Sequence, residues 1–219
     1  DLKPATLPYT IGVDGSNQHY QTTDGDILYF FSATRITFHP GKQVSSDDVK
    51  LQTSIQRFNG AIEEHAATEA ELAMVGMETK EIVAAANEKT VDETGLLFLD
   101  GPIVEPPNST DQQNITNRVA AIKTAFDNKL IPIGIVKGIY STFFIDKYSK
   151  EFTAVSADEQ QFKNLRADKN FAIQVLTRFL ENSEDVGYTK PFKFSDVKNM
   201  DKYAKGANKY IKAGVDVIT

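Results

Sequence analysis

The stretch Gly95-Leu-Leu-Phe-Leu-Asp-Gly-Pro102 is a short apolar run that stops at an Asp-Gly turn signal. In residues 111–128, Ile115, Val119, Ile122 and Phe126 then recur at helical spacing. Leu130-Ile-Pro-Ile-Gly-Ile-Val-Lys137 is apolar again. A strand, an amphipathic helix and a second strand in this order predict a βαβ unit with parallel pairing. Upstream, Tyr9-Thr-Ile-Gly-Val-Asp-Gly-Ser16 reads as a buried strand that ends in a turn. Thr22-Thr-Asp-Gly-Asp26 is a second turn, and residues 27–38 are rich in β-branched and aromatic types. The two runs around a short loop predict antiparallel pairing with each other. The expected class is therefore α/β, with a mixed sheet and flanking helices.

Residues 46–90 change period. Ser45-Ser-Asp-Asp48 is a good helix start, and an Ala-, Glu- and Met-rich stretch follows. One long helix or two shorter ones are expected, with Gly60 and Gly76 as break points. Further on, Asp168 to Asn182 reads as a helix and Tyr188 to Phe194 as a short extended piece. Lys198 to Lys212 is lysine-rich and helical in character, and Val215 to Thr219 resembles the start of a strand.

Composition excludes several chemistries. In 219 residues, 41% are apolar and 25% charged, ordinary values for a globular chain. With no cysteine there is no disulfide, zinc-thiolate site or cysteine nucleophile. The three histidines, His19, His39 and His65, are far apart in sequence, so a metal would be held by oxygen. No apolar run is long enough for a membrane span. Neither GxGxxG, a Walker lysine loop nor a Gly-x-Ser-x-Gly elbow occurs. The net charge of −6 argues against a nucleic-acid surface unless a basic groove forms locally; Lys137, Lys147, Lys150, Lys163 and Arg166 are the residues for one. Tyr29, Phe30, Phe31, Phe143 and Phe144 suit a packed core better than base stacking, because they lie in strand-like runs.

Two predicted strands finish alike, with Asp14-Gly and Asp100-Gly after apolar runs. An aspartate at the carboxyl edge of an α/β sheet lies where sites form. If the strands are neighbours, the two carboxylates repel and a divalent cation relieves them. Asp-Gly after a strand is also an ordinary turn signal, and the residues alone leave both readings open.

The ordered set Ile11-Gly-Val-Asp-Gly-Ser16, Leu96-Leu-Phe-Leu-Asp-Gly-Pro-Ile103 and Ile133-Gly-Ile-Val-Lys137 resembles the core motifs of the NurA nuclease family. Phe179-Leu-Glu-Asn-Ser-Glu184 and Tyr188-Thr-Lys-Pro-Phe192 are similar to a weaker family segment. The resemblance implies an RNase H-like fold and DNA-end resection activity: metal-dependent single-strand endonuclease and 5′-to-3′ exonuclease cleavage. It also implies a homodimer, a HerA-type translocase partner and a cytoplasmic location without membrane attachment. Asp14 and Asp100 match the family's two metal-binding aspartates. A helical glutamate completes the site: Glu78 is preferred, Glu81 is the alternative three residues on, and Glu69 and Glu71 are weaker. The expected ion is Mn²⁺ or Mg²⁺. Lys137 matches a strand-end lysine that contacts phosphate, and Ser16 is a candidate for a phosphate or metal-water hydrogen bond. Residues 1–219 are expected to be a single NurA-like domain truncated at both ends, since the family's N-terminal docking segment and late C-terminal motif have no counterpart here. Two rivals stand beside this reading: an inactive RNase H-like binding or assembly module, and another metal-dependent phosphohydrolase or nucleotide-binding α/β protein.

Overall fold

The computed structural model describes residues 7–59, 63–104, 111–136, 142–153, 167–179 and 191–217. Its centre is a five-stranded mixed sheet, the α/β class expected above. β1 (Thr10–Gln21) and β2 (Ile27–Phe38) form an antiparallel hairpin, closed by the predicted turn at residues 22–26. β3 (Val49–Phe58) continues antiparallel along β2. On the other side of β1, β4 (Gly95–Asp100) and β5 (Leu130–Ile135) run parallel to it, which gives the order β3-β2-β1-β4-β5.

The helices are α1 (Glu63–Glu88), α2 (Gln112–Asp127), α3 (Phe143–Thr153), α4 (Asp168–Phe179) and α5 (Ala207–Lys212). α2 starts where Asp111 accepts a hydrogen bond from the Asn114 N–H at 2.6 Å. This cap satisfies one of the helix's open donors. The strand–helix–strand unit β4-α2-β5 is parallel, as the spacing of apolar runs requires.

α1 spans the sheet and joins two cores. Near its start, Ala66 and Ala70 pack on Ile27, Tyr29, Phe31 and Phe58. Near its end, Ile82, Ala85 and Ala86 pack with Ile11, Val13, Leu97 and Leu99, and with Ile115 and Ile122 of α2. Strand alternation sends Val13 and Leu99 to this helical face. Across β1, β2 and β3 the opposite face leaves Tyr20, Phe30, Leu51 and Ile55 exposed. Of the aromatics expected in the core, Tyr29, Phe31 and Phe143 are buried, Phe144 packs against that core, and Phe30 is exposed.

Several expectations change. The helix expected to start at Ser45 is a single 3-10 turn (Ser46–Asp48) followed by β3, an edge strand missed because most of it is exposed on both faces. α1 runs through Gly76 without a break, and Gly60 lies outside the described residues. Residues 27–38 are one strand. α3 has no counterpart among the predicted elements. Residues 215–217 form no strand, although the Phe194 N–H bonds to Val217 O at 2.9 Å. Asp14-Gly-Ser16 is no turn either: β1 continues to Gln21 because β2 pairs with its whole length.

Candidate metal centre

What ends at Asp14 is the parallel pairing. Val13 opposite Leu99 is the last registered pair of β1 and β4, so Asp14 and Asp100 are the next residue on each strand. β4 stops at Asp100 because Gly101 turns the chain at φ 119°, a conformation L side chains rarely adopt. The Gly101 N–H is held by Ile135 O at 2.9 Å. Asp14 is exposed and Asp100 half-buried, which leaves the pair open to solvent ions.

Glu78 approaches from α1. A Cβ at Gly15 would lie 2.9 Å from Glu78 Cδ and 3.0 Å from Cγ, and nearer still to Oε1. The bare backbone of Gly15 is therefore what admits this carboxylate to β1. Its other oxygen, Oε2, accepts from Arg118 Nη1 at 3.3 Å. Arg118 is anchored independently: Nε donates to Ile103 O at 3.4 Å and Nη2 to Pro102 O at 3.3 Å. Tyr210 Oη also donates to Ile103 O, at 3.0 Å. Both Glu78 and Arg118 are buried. Burial pushes the Glu78 carboxyl above the usual glutamate range; Arg118 pulls it down, and Asp14 and Asp100 push it up again. The two aspartates thus act on Glu78 electrostatically, against the pull of the Arg118 guanidinium.

Glu81 has a different setting. Arg35 Nε donates to its Oε2 at 3.0 Å, and Arg35 Nη2 donates to Glu88 at 2.6 Å. Glu81 is 2% exposed and Arg35 4%. The structure therefore brings Asp14, Asp100 and Glu78 into one neighbourhood and commits Glu81 to an ion pair with β2. Ser16 lies two residues beyond Asp14, its hydroxyl 3.0 Å from that of Ser32. Glu69 and Glu71 are exposed on α1. Lys137, Lys163 and Arg166 lie outside the described residues. Lys147 lies over the Phe192 ring at 4.5 Å.

An all-oxygen donor set of two aspartates and a glutamate suits a hard divalent cation such as Mn²⁺ or Mg²⁺. Among the described residues, no three His, Asp or Glu side chains already form a metal-holding cluster. Sequence reasoning missed Arg118 and Gly15. Arg118 sits within the apolar spacing of α2, as a charged residue on a buried face, and that was its available signal.

A NurA domain model matches residues 9–215. The chain belongs to the NurA family. NurA is a nuclease family, and the match covers every element named above. A structure described as NurA crystallised with manganese aligns with 12% identity and a TM-score of 0.39. That alignment covers 100% of this chain and 52% of the other, so the chain spans about half the length of the NurA structure it matches. A foamy viral protease-reverse transcriptase in complex with double-stranded DNA aligns at 10% identity and TM-score 0.31, over 63% of this chain and 86% of the other. No curated protein matches. Among the described residues, no helix is long and apolar enough to cross a membrane.

Proposed function

We propose that this NurA-family chain is a metal-dependent deoxyribonuclease that hydrolyses phosphodiester bonds at the Asp14–Asp100 edge. The observation that carries the proposal is the register. Two carboxylates follow the last paired residues of adjacent parallel strands, and a buried glutamate responds to both.

Asp14 and Asp100 would hold Mn²⁺ or Mg²⁺ from the sheet, and Glu78 from α1. Such ions would supply Lewis-acid chemistry, a lowered pKa for a bound water and charge neutralisation at the leaving oxygen, as in two-metal phosphoryl hydrolysis. The protein's own part is positional. The paired strands β1 and β4 place the two aspartates, and burial between α1 and β1 holds Glu78. Lys137, at the end of the β5 run, is assigned to the scissile phosphate, and Ser16 to a phosphate or water hydrogen bond. Glu81 is assigned to the Arg35 ion pair.

The substrate is single-stranded DNA or duplex ends, cut by single-strand endonuclease and 5′-to-3′ exonuclease steps. The partner is a HerA-type translocase, and the chain acts as a homodimer in the cytoplasm. Residues 1–219 form one nuclease domain in this reading. The test is cleavage of labelled single-stranded DNA with Mn²⁺, Mg²⁺ or EDTA by the wild type and the Asp14→Asn and Asp100→Asn variants. Metal-dependent cleavage that both variants lose supports the proposal. Cleavage that survives both overturns it.

A second reading draws on the Glu78–Arg118 pair: an inactive binding module that kept the sheet. It predicts intact folding, no cleavage and no Mn²⁺ uptake. A third, a phosphohydrolase using the same aspartates, predicts hydrolysis of free nucleotides in place of DNA.

A further inference from the structure

We infer that Arg118 is the positioning residue of this site: it holds one oxygen of Glu78 while the other meets β1 at Gly15, the residue that follows Asp14. The inference rests on the metal-centre reading above and adds a residue to it.

The geometry has three parts. First, the Arg118 guanidinium does not depend on Glu78 for its place. Two backbone carbonyls, Pro102 O at 3.3 Å and Ile103 O at 3.4 Å, fix it in the turn that follows Asp100. Second, Nη1 then meets Glu78 Oε2 at 3.3 Å and holds that oxygen. Third, Oε1 faces Gly15, where the missing side chain leaves room. The carboxylate is clamped between an anchored cation and a bare strand, and its two oxygens have different tasks.

The same guanidinium links α1, which carries Glu78, to the chain just past Asp100. Arg118 belongs to α2, Glu78 to α1, and the carbonyls to the chain just past Asp100. Planar, multi-donor geometry is what arginine offers and lysine does not. Both groups are buried, so the contact is shielded from competing water and salt. Groups that orient metal ligands from behind commonly contribute tenfold to hundredfold in metal affinity.

The test measures Mn²⁺ affinity on the full chain by the spin-resonance signal of the free ion, so cleavage is not needed. Arg118→Met is expected to weaken binding about tenfold. Arg118→Lys, which keeps the charge without the fork, is expected to lose about threefold, intermediate between wild type and Arg118→Met. In a Glu78→Gln background, Arg118→Met should add less than about twofold, because the residue acts through Glu78. Tyr210→Phe removes the other hydrogen bond to Ile103 O and should leave affinity within about twofold. Undiminished binding in Arg118→Met overturns the inference. So does a loss of equal size in the Glu78→Gln background, or one reproduced by Tyr210→Phe, since each assigns Arg118 to the turn alone. Should Arg118→Met fail to fold by circular dichroism, Arg118→Lys in both backgrounds decides. If Asp14→Asn with Asp100→Asn leaves Mn²⁺ binding unchanged, the metal centre itself has failed, an outcome distinct from the others.

Discussion

Glu78 and Glu81 lie three residues apart on α1, both buried and both against an arginine, yet they belong to different devices. Glu81 meets Arg35 of β2 at 3.0 Å, over the antiparallel half of the sheet. Glu78 meets Arg118 of α2 at 3.3 Å, beside the parallel half and its two aspartates. Arg35 is shared between the buried Glu81 and the exposed Glu88. Around Glu78, burial pushes the carboxyl above the ordinary range, Arg118 pulls it down and both aspartates push it up. One pair fastens helix to sheet; the other lies near enough to Asp14 and Asp100 to feel both charges. A perturbed carboxyl beside further acids marks a candidate site, which a buried ion pair alone does not.

The comparison breaks first at Arg35. Arg35→Ala strands Glu81 in the core, and breaking a buried pair costs about 3–5 kcal/mol. Urea unfolding should show this loss, with Mn²⁺ affinity of the remaining folded protein unchanged. Next is Asp100→Asn, expected to lower metal-dependent DNA cleavage at least about 100-fold, ~2.7 kcal/mol in the barrier.

Gly15→Ala is a subtler break. The added methyl displaces Glu78, and Mn²⁺ affinity should fall about tenfold, ~1.4 kcal/mol. The Arg35–Glu81 end of α1 is untouched, so the variant separates the two regions.

Acidity sharpens the contrast further. A carboxyl whose folded pKa is raised stabilises the fold below its unfolded pKa, and that stability is lost as pH rises through the folded value. In metal-free buffer, wild type should therefore lose stability relative to Glu78→Gln as pH climbs from the ordinary glutamate range through the raised one. Parallel urea melts across that window measure the difference. The smallest effect belongs to the exposed Lys123–Asp127 pair on α2, where Lys123→Ala should stay within about 0.5 kcal/mol in the same melts.

Much of the parallel unit was legible from residues 95–136, where most of the apolar runs and helical spacing agree with burial. Leu97 and Leu99 are inside, as are Ile115, Val119 and Ile122, whereas Phe126, expected on the same face of α2, is exposed. β3 was not legible. Val49, Leu51 and Ile55 stay exposed on an edge strand, so its alternation carries little core signal. The two candidate glutamates could not be separated either. Their partners lie 46 residues from Glu81 and 40 from Glu78, and nothing local distinguishes them.

The sequence by itself determined the α/β class and the two Asp-Gly positions, because apolar periodicity and turn chemistry are local. It also determined an all-oxygen donor set, through the lack of cysteine and scarcity of histidine. Only the tertiary structure decided that Asp14 lies within a strand and that it stands next to Asp100. It also decided that Glu81 is paired with Arg35 of β2 and that Glu78 is paired with Arg118 of α2. Those are outcomes of register and of helix placement on the sheet, which bring together residues far apart in the chain.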